Sequence, residues 1–106
     1  MGEATVADPV VERFCERIRS QMNITALIWF GSRAADRGDG WSDYDFIVVS
    51  SEFEGMRFLA RASKLETLRE PGVAYDFLCY TPQEFEEMVN QITIVREAAK
   101  TGVRLI

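Results

Sequence analysis

A chain of 106 residues with a net charge of −5 has room for one domain around a modest core, and none for a separate substrate-binding domain. Its 47% hydrophobic and 27% charged residues are those of a folded globular protein, and no apolar run is long enough to cross a bilayer. The acidic balance argues against a nucleic-acid surface, which would need a basic face.

The absence of histidine excludes Ser-His relays, histidine-ligated zinc and phosphohistidine intermediates, and leaves carboxylates as the natural general bases. Cys15 and Cys79 are isolated and read as small buried hydrophobes, not as a disulfide or metal pair. The first residues, MGEATVADP, are acidic and lack a signal-peptide core, so a cytoplasmic location is expected.

Residues 1–7 read as a loose terminus. Asp8-Pro9 is a helix start, with the acid at the N-cap and proline at the first helical position. Val11, Phe14, Cys15, Ile18 and Met22 recur at helical spacing and predict a helix to about Gln21. Residues 24–30, nearly continuous in apolar side chains, predict a central strand, with Trp29 packed in the core. That strand empties into Gly31-Ser32. Gly31 permits a tight turn, and Ser32 is a good N-cap for a helical turn through Arg33, Ala34 and Ala35. Backbone N–H groups at such a turn suit an anion, and Arg33 adds a charged fork.

A polar loop follows, with Trp41 either folded over the core or shaping a pocket. Asp43-Tyr44-Asp45 then opens a second strand, residues 44–50. Alternation along a strand sends Asp43 and Asp45 to one side and Tyr44 to the other. Two adjacent carboxylates repel, and a hard divalent cation such as Mg2+ relieves the repulsion. Carboxylates facing an anion-binding turn suit a nucleoside triphosphate bridged to Mg2+.

Residues 51–55 read as a loop. Met56, Leu59, Ala60, Ser63 and Leu68 then predict a helix ending near Glu70, where Pro71-Gly72 breaks it, with Arg57 and Arg61 on its solvated face. A third strand, residues 73–80, carries Asp76 in its middle. An ionised carboxylate is expensive to bury unpaired in an apolar strand, so Asp76 is expected on the open side of the sheet beside Asp43 and Asp45. Thr81-Pro82 with Glu84 forms a capping box. Phe85, Met88, Val89, Ile92, Val95 and Ala99 mark one long helix or two short ones closed by Gly102, and residues 103–106 read as a last edge strand. The whole pattern is α/β, a small mixed sheet flanked by helices.

Taken alone, a Gly-Ser pair after a strand is an ordinary turn, and two acids at a strand start are an ordinary solvated edge. Their conjunction is more specific. Gly31-Ser32, a gap covering residues 33–42, and then Asp43-x-Asp45 resembles the GS…DxD signature of the DNA polymerase beta nucleotidyltransferase superfamily, in particular its minimal nucleotidyltransferases (MNT). Ala74-Tyr75-Asp76-Phe77-Leu78 resembles the strand bearing that superfamily's third carboxylate, and residues 80–85 its strand-to-helix junction. The family often has a basic residue shortly after the GSRA segment, where this chain has Ala35-Asp36, with Arg37 one step later.

The resemblance covers nearly the whole chain and implies a palm-like nucleotidyltransferase domain over residues 1–106. It implies that Asp43 and Asp45 hold Mg2+ on a triphosphate and that Gly31, Ser32 and Arg33 bind the phosphates. Asp76 would complete a second metal site or accept the acceptor hydroxyl's proton. A chain this short does not surround a large acceptor, so a second chain, a partner or another copy of itself, is expected to form the other wall or to be the substrate. MNT proteins pair with HEPN-family proteins in toxin–antitoxin systems. The resemblance therefore implies an antitoxin that transfers AMP from ATP to a partner tyrosine. Two other readings stand beside it: a non-catalytic module that covers its partner, and a small-molecule nucleotidyltransferase similar to the aminoglycoside-modifying enzymes.

Overall fold

The first helix, α1 (Pro9–Gln21), begins where the sequence predicts, because Asp8 accepts a 2.9 Å hydrogen bond from the Val10 N–H and Pro9 takes the first helical position. The computed structural model describes residues 8–34, 43–91 and 93–106, so the expectations for residues 1–7, Arg37, Trp41 and Ile92 lie outside the described residues. From α1 the chain enters β1 (Ala26–Phe30), a helical turn α2 (Gly31–Ala34) and β2 (Tyr44–Val49). A 3-10 turn (Ser51–Phe53), α3 (Phe58–Lys64) and a second 3-10 turn (Glu66–Leu68) lead to β3 (Tyr75–Tyr80). Helices α4 (Pro82–Val89) and α5 (Ile94–Thr101) precede the short β4 (Val103–Arg104).

Among the described residues the strands form one sheet in the order β3-β2-β1-β4. It is mixed: β1 runs antiparallel to both β2 and β4, while β2 and β3 are parallel. β1 and β2 occupy the middle, which is why their runs are the most continuously apolar.

Strand alternation divides the core in two. On one face Leu27, Trp29, Tyr44, Phe46, Val48, Phe77 and Cys79 pack with Val11, Phe14 and Ile18 of α1 and with Phe53, Leu65 and Leu68. On the other, Ala26, Ile28, Ile47, Val49 and Tyr80 pack with Val95 and Ala98 of α5. Cys79 lies in the first core, where burial pushes its thiol up to about 12, and Cys15 is half-buried with its thiol raised for the same reason. Both are free thiols packed as hydrophobes, Cys79 within the core and Cys15 partly buried against it.

α3 departs from expectation in both length and face. The predicted helix to Glu70 stops at Lys64, where the Leu65 N–H bonds the Ala62 carbonyl and the chain tightens into a 3-10 turn. Leu59 points to solvent at 83% exposure, and Arg61, expected on the solvated face, is 5% exposed. The buried stripe is Arg61, Leu65 and Leu68, with Phe58 half out at its start. Arg61 is accommodated because its guanidinium is fully engaged. It donates to the carbonyls of Met56 and Cys79 and, through both terminal nitrogens, to the Glu84 carboxylate. Glu84 meanwhile accepts from the Thr81 N–H, closing the capping box that starts α4.

Arg61 also blunts a sheet edge. The Tyr44 N–H bonds the Ala74 carbonyl and the Ser50 N–H bonds the Tyr80 carbonyl, so the even-numbered carbonyls of β3 face β2 and the odd ones face outward. Arg61 caps the outward carbonyl of Cys79, and Arg69 that of Val73. At the other end of the chain, Gly102 closes α5 at φ −79°, outside the left-handed region that a helix-ending glycine usually adopts. Glycine is needed there for room, since a Cβ would lie 2.6 Å from the Ala98 carbonyl oxygen and 2.9 Å from that of Trp29.

Candidate active site

The carboxylates gather at the end of the sheet where β1 finishes and β2 and β3 begin. Phe30 pairs with Asp45 across β1 and β2, and Asp45 pairs with Asp76 across β2 and β3. Register partners on parallel strands share a face and sit on backbones about 4.8 Å apart. Asp45 and Asp76 therefore project together on the face that carries α4 and α5, opposite the aromatic core of Tyr44, Phe46, Tyr75 and Phe77. Asp43, exposed and just ahead of the ladder, has the same parity as Asp45. The sequence places two acids on one side and a third beside them, and the sheet register does the same.

Electrostatics ties the three together. The Asp45 carboxyl is half-buried, and it titrates above the ordinary carboxylate range chiefly because it is desolvated, then because Asp76 and Asp43 repel its charge. Ionised Asp45 is therefore destabilised by its surroundings, as expected of a group that awaits a cation or a proton. Among the described residues, however, no group of three or more acidic or thiol side chains is gathered as a ready-made metal centre. The three carboxylates expected to hold metal thus share one rim of the sheet without forming a coordination shell. The donor set, carboxylate oxygens without imidazole and with both thiols packed on the opposite face, fits a hard cation such as Mg2+ better than zinc.

Gly31 closes the other side of Asp45. It sits at φ +89°, and a Cβ built on it would fall 2.2 Å from Asp45 Oδ2. Only a residue without a side chain lets the backbone leave β1 in this direction and lie directly against the carboxylate. The glycine of the Gly-Ser pair thus serves the carboxylate as well as the turn, a role that the sequence alone does not reveal. α2 begins at Gly31, one residue ahead of the Ser32 N-cap expected from the sequence, so Ser32 and Arg33 lie within the turn. Their side chains lie outside the described ones.

On the opposite face, the Tyr44 hydroxyl donates a 2.7 Å hydrogen bond to Asp8 Oδ2, while the other oxygen of Asp8 caps α1. Alternation places Tyr44 away from the site but gives no hint of that partner. Trp29, also on that face, is buried against Tyr44 with ring centroids 6.0 Å apart, which bears out its reading as core. No helix among the described residues is long and apolar enough to cross a membrane.

In fold, the chain is similar to the crystal structure of a protein from Sulfolobus solfataricus assigned as a nucleotidyltransferase. The TM-score is 0.60 at 20% identity, covering 74% of this chain and 69% of that one. At that identity the likeness speaks for the fold alone. No curated protein matches the chain. The family model described as "Nucleotidyltransferase domain" matches residues 10–101, which take in the turn at Gly31, the Asp43-Tyr44-Asp45 strand and Asp76. The chain belongs to the nucleotidyltransferase domain family.

Proposed function

We propose that residues 1–106 are a minimal nucleotidyltransferase domain that uses Mg2+ and ATP to place AMP on a hydroxyl of a partner protein. The observation that carries this reading is the Asp45–Asp76 rung, with Asp43 repelling from the strand start and Gly31 packed against Asp45. In this reading Asp43 and Asp45 hold the metal. When bound, Mg2+ supplies positive charge to the triphosphate oxygens. The backbone of the turn from Gly31 through Ser32 and Arg33 receives the phosphates in this reading, with Arg33 assigned to phosphate binding as a source of positive charge.

The acceptor oxygen forms a bond to the α-phosphorus, the bond from that phosphorus to the bridging oxygen breaks, and pyrophosphate leaves with the electron pair. The acceptor's proton goes to a carboxylate. Asp76, exposed on the edge strand, is favoured for that role over a second metal site, since the acceptor must approach from outside the sheet.

The acceptor in this reading is a group of another molecule, since Asp43 and Asp76 are exposed at the end of the sheet. The family reading supplies a candidate, a HEPN-type partner of a toxin–antitoxin pair modified on tyrosine in the cytoplasm. Co-expression with such a partner and labelled ATP tests the proposal. The account predicts labelled AMP on the partner, lost in Asp43→Ala/Asp45→Ala. Partner binding with unchanged labelling in that variant would remove the mechanism. Binding and neutralisation without any labelling would favour the covering module, and labelling of an aminoglycoside by the isolated chain would favour the small-molecule reading.

A further inference from the structure

We infer that Tyr44 and Asp8 are positioning residues for the carboxylate pair, acting from the far side of the sheet. The inference rests on the nucleotidyl-transfer reading of Asp43 and Asp45. Asp43 precedes the first ladder residue of β2, so its position depends on how firmly the next residue is held. Tyr44 is held twice. Its N–H bonds the Ala74 carbonyl at 2.9 Å, and its hydroxyl donates to Asp8 Oδ2 at 2.7 Å.

The hydroxyl's acceptor is itself fixed. Asp8 spends its other oxygen on the Val10 N–H at the start of α1, a helix anchored by the fully buried Val11, Phe14 and Ile18. A helix anchored in the core is thereby tied, through one carboxylate and one phenol, to the residue between Asp43 and Asp45. The ring supports the tie: it is 4% exposed and lies between Trp29 and Tyr75, with centroids 6.0 and 5.9 Å away. Tyr75 in turn precedes Asp76, so the same aromatic layer backs both strands of the acidic rung. A strand start without such a tie frays, and a carboxylate on a frayed residue gives up binding energy to be ordered. Groups that orient ligands from behind are worth about 10–100-fold in metal affinity.

The test compares Tyr44→Phe, Asp8→Ala and Asp8→Asn with the wild-type chain by titration of Mn2+ in the presence of ATP, following manganese by electron paramagnetic resonance. Tyr44→Phe keeps the ring and loses only the hydroxyl. Asp8→Asn keeps its amide oxygen as acceptor for the Val10 N–H and donates from its amide nitrogen to the Tyr44 hydroxyl oxygen, so both links survive. Thr93→Ala, which uncaps α5 where the Arg96 N–H bonds the threonine hydroxyl, serves as a destabilised control remote from the pair. The expected result is an approximately tenfold weaker Mn2+ affinity in Tyr44→Phe and Asp8→Ala, recovered in Asp8→Asn and unchanged in Thr93→Ala. A metal-free readout accompanies it: faster hydrogen exchange at the Tyr44 amide in Tyr44→Phe. Equal Mn2+ affinity in wild type and Tyr44→Phe overturns the inference alone. Failure of the wild-type chain to bind Mn2+ with ATP overturns the nucleotidyl-transfer reading and the inference with it.

Discussion

Replacing Gly31 by alanine separates the two roles assigned to that residue. The new methyl carbon would lie 2.2 Å from Asp45 Oδ2 and 3.1 Å from its Cγ, so the carboxylate must retreat by roughly 1 Å or more to reach ordinary contact. Alanine at φ +89° adds about 1–2 kcal/mol of backbone strain, and turning Asp45 off its rotamer adds about 1 kcal/mol more. The sum, about 2–3 kcal/mol, lowers the Tm by on the order of 10 °C in a domain of this size. Misplacing a reacting group by about 1 Å also reduces turnover by on the order of a hundredfold.

Gly55 provides the matched control, since it sits at φ +81° with nothing within 4 Å of a built Cβ. Gly55→Ala should lose about 1–2 kcal/mol in urea unfolding while Mn2+ and ATP affinity stays at the wild-type level. Gly31→Ala should lose both stability and affinity. If the two variants retain equal affinity, the contact between Gly31 and Asp45 has no part in the site.

Three further outcomes follow from the electrostatics. Asp45→Asn should raise the Tm near neutral pH in metal-free buffer, because burial and the charges of Asp76 and Asp43 disfavour ionised Asp45, and it should abolish Mn2+ binding in calorimetry. A Tm below wild type would show that Asp45 is satisfied rather than strained. Arg61 holds the Glu84 carboxyl below its ordinary value of 4.5, so the stability that this pair contributes is present above about pH 4.5 and is lost as pH falls through the lower folded value. Urea unfolding as a function of pH should therefore show a shallower acid limb in Glu84→Gln, and an unchanged limb would remove the pair from the account. Arg61→Ala should cost about 3 kcal/mol, since it uncaps two carbonyls and leaves Glu84 unpaired, whereas Leu59→Ser should fall within about 0.5 kcal/mol. Equal losses would return Arg61 to the solvated face.

The gathering of the three acids was legible in the sequence because it follows strand alternation. Asp43 and Asp45 share a side whatever the partner strand, and Asp76 could not be hidden in an apolar core, so parallel register had only to bring Asp76 level with Asp45. The caps of α1 and α4 were legible for the same local reason, each being an acid or threonine followed by proline. α3 was not. Its apolar residues fit one face at helical spacing, and the spacing Phe58, Arg61, Leu65, Leu68 fits another. What decided between them was the Cys79 carbonyl and the Glu84 carboxylate, which lie far along the chain and which only tertiary structure brings to Arg61. The contact of Gly31 with Asp45 and the tie from Tyr44 to Asp8 were illegible for the same reason.

The most direct measurement is a crystal structure of the chain with Mn2+ and a non-hydrolysable ATP analogue, with anomalous scattering used to place the metal. The account predicts a manganese peak about 2.1–2.2 Å from oxygens of Asp43 and Asp45, with the triphosphate along the Gly31 turn and Asp76 on the same side of the sheet. Metal and nucleotide bound on the α1 face, or away from Asp45 altogether, would contradict it.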